Sequence, residues 1–266
     1  MKRAQLFEFH DLSGFPQSWR NFLTEFIACY IRMFNPYGSL APRLKSLLEK
    51  LECRQLVDLC SGASGPVLHV QEMLSQGENY DVEVTLTDKY PNAEAFRQAA
   101  AQRPGRVKGR EDSVDAMDVP AELRGFRTLF ASLHHFPPAA ARGILADAAR
   151  RREGIGVFEF TERRFQAFLV MLLAPVMVLL LTPLVRPFRW SRLLWTYLIP
   201  VMPLVALWDG QVSNMRTYSL AELKELTRSI KADGYRWEVG QVSYFPRLRA
   251  TYLFGYPAAT EQAADD

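Results

Sequence analysis

The chain has few cysteines. Only Cys29, Cys53 and Cys60 occur in 266 residues, none in a CxxC pair. An odd number without metal-ligand spacing yields neither a disulfide framework nor a zinc site. An excess of charge of one sign is also lacking. The formal net charge is +3 and the basic residues are spread along the chain, so no nucleic-acid patch is expected. No apolar run of signal-peptide length follows the basic start MKRAQLFEFHD. There is no GxGxxG, no internal repeat and no low-complexity tract. These absences point to a cytoplasmic chain in a reducing compartment. Apolar residues make up 48% and charged residues 23%, enough for an ordinary core in one large domain.

Periodicity divides the chain. Trp19, Phe22, Leu23, Phe26, Ile27, Tyr30 and Ile31 recur at helical spacing until Asn35-Pro36-Tyr37-Gly38 breaks the pattern. A second helix over about 42–52 presents Leu44, Leu47, Leu48 and Leu51. From Gln55 short apolar runs alternate with helices: strands are predicted at 55–60, 82–88, 127–133 and 154–160, with helices between them. Such alternation builds a parallel sheet covered on both faces. After a gap of about fifty residues, Ser219-Leu220-Ala221-Glu222 reads as a capping box. Two strands at 235–243 and 250–256 follow, close enough to pair antiparallel around a loop with Pro246.

The stretch Leu56-Val57-Asp58-Leu59-Cys60-Ser61-Gly62-Ala63-Ser64-Gly65 ends a strand and opens a helix. Small residues there let a ligand approach the backbone, and the helix start offers free N–H groups. The same loop is equally well a tight turn with no ligand. Asp88 ends the next strand 23 positions after Gly65, near the roughly 20-residue offset of a ribose-binding acid. Taken alone, Asp88-Lys89 is also an ordinary solvated strand end.

Four segments in order resemble the class I S-adenosylmethionine-dependent methyltransferases. LVDLCSGASG is similar to their first motif, TLTDKYPN to the segment with the ribose-binding acid, SVDAMDVP to the adenine-binding segment, and FRTLFASLHHF to the fourth strand and its loop. The resemblance covers roughly residues 50–163 and 215–256. It implies a Rossmann-like α/β fold: a seven-stranded, mostly parallel sheet closed by a C-terminal antiparallel hairpin. It implies S-adenosylmethionine as cofactor, held by Asp58, Cys60, Ser61, Gly62, Ser64, Gly65, Asp88, Lys89, Asp115, Ala116 and Ser132. Cys60 and Ser64 depart from the motif, which has glycine at both positions, and a left-handed backbone at either is expected to be strained.

His134 and His135 follow the fourth strand and are the candidate bases, since neutral imidazole takes a proton near pH 7. Helix capping and packing beneath the loop are the plainer roles. Glu159 and Glu162 flank the fifth strand's end. Asp209, Ser213 and Arg216 fall in a segment with an Asp-Gly turn that either closes over substrate or simply leads into the next helix. Glu159, Asp209 and Arg216 are the substrate-binding candidates. No metal is expected.

Phe165–Val185 carries no charge over 21 positions, and Leu193–Trp208 none over 16. Arg186, Arg189 and Arg192 lie between them. The first run has the length of a bilayer span, but a two-span hairpin would put these arginines outside. Two helices forming a hydrophobic lid or a membrane-surface foot are expected, with Trp190, Trp195, Tyr197 and Trp208 suited to an interface. Plain burial against the N-terminal helices or another subunit is the alternative. The expected layout is an N-terminal helical cap (1–52), a methyltransferase core (53–163 and 215–257), the insertion (164–214) and a flexible tail (258–266).

Functionally, the sequence predicts methyl transfer to oxygen, nitrogen or carbon of a hydrophobic small molecule, with peripheral contact at the inner membrane face or a homodimer as further expectations. A degenerate, non-catalytic binding protein and a nicotinamide-dependent oxidoreductase are the rival readings.

Overall fold

The computed structural model describes residues 1–246 and 248–258. Except for Ala258, the predicted tail lies outside the described residues. Seven strands form one sheet in the order β3-β2-β1-β4-β5-β7-β6. They are β1 (Gln55–Asp58), β2 (Glu83–Leu86), β3 (Val107–Gly109), β4 (Phe126–Phe130), β5 (Ile155–Glu159), β6 (Tyr235–Phe245) and β7 (Leu248–Pro257). The first five run parallel; β7 pairs antiparallel with both β5 and β6. All residues of β4 and β5 are buried, as expected for strands covered on both faces. Strand β3 has no counterpart in the sequence reading: it is three residues long, and only Val107 is buried.

Strand order reverses between β1 and β4, so the loops after these two strands diverge and open a crevice at their carboxyl ends. Helices α1 (Gln17–Phe34), α2 (Ala41–Lys50), α3 (Gly65–Glu72), α4 (Ala93–Gln102), α5 (Pro138–Arg150) and α10 (Leu220–Arg228) pack around the sheet. The capping box at α10 is present: Ser219 and Glu222 bond each other's backbone N–H.

The insertion forms α6 (Phe165–Met171), α7 (Ala174–Leu181), α8 (Trp190–Leu193, continued by a π-turn to Leu198) and α9 (Val201–Arg216). It is therefore two bent pairs rather than two helices, with breaks of 41° before α7 and 80° before α9. Prolines sit at both breaks, Pro175 at the start of α7 and Pro200 before α9. Asp209 and Gly210 lie inside α9, which corrects the turn predicted there. Val178, Leu181, Met202 and Val205 pack with Phe22, Leu23 and Phe26 of α1 in one apolar cluster. Trp195 faces inward, its ring 5.0 Å from that of Trp19, so it does not belong to an outer interface.

Gly65 makes the close approach of α1 to α3 possible. A Cβ on Gly65 would lie 2.2 Å from Ala28 Cβ. Gly65→Ala is therefore expected to lower stability by about 1–3 kcal/mol. Denaturant unfolding should show this loss, with partial recovery in the Ala28→Gly/Gly65→Ala double variant. Additive losses would show that this contact is not the cause.

Candidate active site

The loop after β1 turns three times through the left-handed region, at Cys60 (φ 60°), Gly62 (φ 51°) and Ser64 (φ 66°). Cys60 and Ser64 thus adopt the backbone that glycine would take. The expected strain is present and is held in place from several sides. Leu59 N–H donates to Thr128 O (2.8 Å), Ser61 N–H to Thr87 O (3.0 Å), and Ser64 N–H to Ser61 O (2.6 Å). Gly62 N–H donates to Asp88 Oδ2 at 2.9 Å.

Asp58 lies behind the loop, fully enclosed, and accepts from Thr128 Oγ1 at 2.7 Å. Its backbone carbonyl accepts from Ser61 Oγ and Thr87 Oγ1. Burial pushes the Asp58 carboxyl up to about 7 against the opposing hydrogen bond from Thr128. Burial, then the charge of Asp88, also drives the Cys60 thiol far above its ordinary range, so Cys60 is no thiolate nucleophile. Asp88 Oδ1 accepts from Tyr90 N–H at 2.9 Å. Burial raises this carboxyl, and backbone N–H groups of Tyr90, Gly62 and Lys89 oppose the shift.

A cavity of about 560 Å³ opens at the carboxyl ends of β1 and β4. Its wall brings together Cys60, Ser61, Gly62, Gly65, Asp88, Ser132, His134, His135 and Asp209. Asp58, Ser64, Lys89, Asp115, Ala116, Glu159 and Arg216 do not line it. Asp58 and Glu159 stand behind lining residues, while Ser64 and Ala116 are buried. Lys89 Nζ and Asp115 Oδ2 form an exposed pair at 2.9 Å, and Asp115 Oδ1 accepts from Met117 N–H.

Past β4 a short turn, Leu133–His135, presents the two histidines. His134 is buried. Glu159 Oε1 accepts its backbone N–H (3.1 Å) and Glu159 Oε2 meets its Nδ1 at 2.8 Å. A proton on Nδ1 satisfies this contact and leaves a lone pair on Nε2, which has no hydrogen-bond partner. His135 is committed elsewhere: its Nδ1 lies 3.0 Å from Asp11 Oδ1 and 3.3 Å from Arg216 Nη1.

The residues that sequence reasoning missed come from the N-terminal segment. Glu8, His10 and Asp11 line the same cavity. Asp209 holds this segment by accepting the backbone N–H groups of Phe9 and His10 (2.8 and 3.1 Å). Arg216 holds it by donating to Leu6 O (2.7 Å) and pairing with Asp11 (2.5 Å) and Glu8 (3.3 Å). Glu8 Oε1 stands 4.0 Å from His134 Nε2. Burial raises the Glu8 carboxyl to about 7, opposed by His135 and Arg216. Burial alone would raise Asp11, but bonds from His135 and Arg216 outweigh it and hold that carboxyl well below its usual range. Burial, then nearby His135 and Arg20, lowers His10 to about 4, so it is neutral at pH 7. Glu8, His134 and His135 bring three ligand-type atoms within 4.8 Å of one another. The Arg216 guanidinium lies 3.3 Å from two of these groups, Glu8 and His135.

Neither a protein-family model nor a curated protein matches the sequence. Solved structures do match. The plantazolicin methyltransferase BpumL in complex with SAH superposes with a TM-score of 0.56 at 9% identity, covering 91% of this chain and 93% of that one. BpumL with a monoazolic desmethylPZN analog and SAH gives 0.57 at 8% identity, covering 91% of each chain. The fold is that of the class I methyltransferases. At such low identity the likeness is one of fold, with the antiparallel β6–β7 hairpin included.

The Asp58 shift sets a sign for pH dependence. A carboxyl raised in the folded state favours folding at low pH, and that contribution is lost as pH climbs from its ordinary 3.8 through about 7. Asp58→Asn removes the titration. The melting temperature of this variant relative to wild type should therefore rise between about pH 4 and pH 7. A difference that stays constant across this range would contradict the assignment.

Proposed function

We propose that the protein is an S-adenosylmethionine-dependent methyltransferase acting on a hydroxyl oxygen of an apolar small molecule. The observation that carries this reading is one cavity holding both parts of such a site. Asp88 and the Gly62 loop line it together with His134, whose Nε2 is buried without a hydrogen-bond partner.

The residues present fit the cofactor. Asp88 Oδ2 accepts from Gly62 N–H and Oδ1 from Tyr90 N–H, and the carboxylate keeps acceptor capacity for ribose hydroxyls. Ser132, whose hydroxyl is buried and without a partner, belongs to the same wall. The left-handed turns at Cys60 and Ser64 keep the glycine-type path of the loop, which favours this reading over a degenerate site. When bound, S-adenosylmethionine supplies an electrophilic methyl group on a sulfonium, ready for in-line displacement.

The chain's own residues supply position and proton transfer. Glu159 fixes the His134 ring through Nδ1 and stabilises the imidazolium that forms. His134 Nε2 takes the hydroxyl proton as the oxygen gains its methyl group. Leu23, Phe26, Ile27, Met171 and Met177 supply apolar walls that exclude water and match an apolar acceptor.

Two variants separate binding from chemistry. Asp88→Ala should weaken S-adenosylmethionine binding by about 1–3 kcal/mol in calorimetry, because ribose donors lose their acceptor. Unchanged affinity in the folded variant would remove Asp88 from the site. His134→Ala should leave cofactor affinity nearly unchanged. It should lower SAH release with hydroxylated aromatic acceptors by roughly 10²–10⁴-fold. Full turnover in that variant would show that His134 is not the base.

A further inference from the structure

The inner faces of α6–α9 line the cavity, but their outer faces have no partner. Of the 25 large apolar side chains exposed among the described residues, 17 lie between Phe165 and Trp208. This concentration far exceeds scattered surface apolar residues and marks a contact surface. Within the insertion Trp190 and Leu198 are the most exposed, at 78% and 76%. Along α7 and its approach, Leu172, Val176, Leu179 and Leu180 recur at helical spacing on the outside, while Val178 and Leu181 face α1.

Charge identifies what covers this face. No Asp or Glu occurs from Arg163 to Trp208, whereas five arginines do. Three are used within the fold: Arg163 pairs with Glu222, Arg164 with Glu162 and Arg192 with Glu25. Arg186 and Arg189 are exposed and make no ion pair among the described residues. They alternate along the chain with Phe188 and Trp190, whose rings meet edge to face at 5.2 Å. Aromatic rings alternating with unpaired arginines match the boundary of a bilayer, where rings sit at the headgroup level and guanidinium groups reach phosphate. A second copy docking through the same face would set arginine against arginine with no carboxylate to answer it. No single helix is long and apolar enough to cross a membrane, and both helix pairs are sharply bent, so the fit is to the surface layer.

We propose that the outer face of α6–α9 docks on an anionic lipid surface, with Trp190 and Leu198 entering the acyl boundary and Arg186 and Arg189 meeting headgroup phosphates. Val170 and Leu173 belong both to this exposed face and to the cavity wall, so docking brings the cavity beside the lipid. The docking claim is independent of the reaction assigned to the cavity.

Cosedimentation of the full chain with vesicles tests it. The protein should partition onto phosphatidylcholine–phosphatidylglycerol vesicles and much less onto phosphatidylcholine alone. Arg186→Glu/Arg189→Glu should reduce partitioning by at least about tenfold, and Trp190→Asp/Leu198→Asp should abolish it. Circular dichroism and S-adenosylmethionine binding should stay unchanged in both double variants. Absence of partitioning onto the mixed vesicles, or partitioning that ignores charge reversal, would overturn the proposal. So would a dimer in sedimentation velocity that Trp190→Asp/Leu198→Asp dissociates, because that result gives the face to a second copy.

Discussion

The site depends on one stretch of backbone, the left-handed path from Cys60 to Ser64. A left-handed residue with a side chain costs roughly 1–2 kcal/mol, so this path exists only because its surroundings fix it. Thr87, just past β2, and Thr128 of β4 hold the amides of Ser61 and Leu59, and the Asp88 carboxylate takes the amide of Gly62. Asp58, sealed behind the loop, ties it to Thr128 of β4. The same groups that bend the loop thereby place Asp88 beside it. A carboxylate with spare lone pairs, a bare glycine and a helix start converge on one crevice because the sheet order reverses there.

A second constraint closes that crevice. The first dozen residues carry no regular structure beyond one turn at Phe9–Asp11, yet they are clasped by Asp209 and Arg216 of α9. Glu8 and Asp11 thereby reach the histidine pair. The two histidines are sorted by these partners. His135 is taken up by Asp11 and Arg216, whereas His134 is turned by Glu159 so that one ring nitrogen stays free. Glu8, pushed up to about 7 by burial, faces that nitrogen at 4.0 Å. The charge of the cavity near neutral pH therefore depends on a segment distant in sequence.

Local patterning made much of this legible. Strands β1, β2, β4 and β5 announce themselves as apolar runs, the capping box at Ser219 marks α10, and the ordered motifs around Asp58 and Asp88 locate the loop. What was hidden is what depends on distance or on neighbours. Strand β3 has three residues and too little pattern to register. Asp209 and Gly210 read as a turn, but packing of α9 against α6 and α7 carries the helix through them. Glu8 looks like one acid in a terminal segment, because its partners lie over 120 residues away. The pairing of Glu159 with His134 likewise depends on β4 and β5 being neighbours, which no spacing along the chain reveals.

The central claim is that one cavity holds an adenosyl cofactor against the Gly62 loop and Asp88, with its reactive end towards His134. A crystal structure of the protein grown with SAH tests this most directly. The account predicts density for the ribose within hydrogen-bond distance of both Asp88 oxygens and for the sulfur on the side of Ser132 and His134. Density elsewhere on the molecule, or an unfilled cavity at saturating SAH, would contradict it.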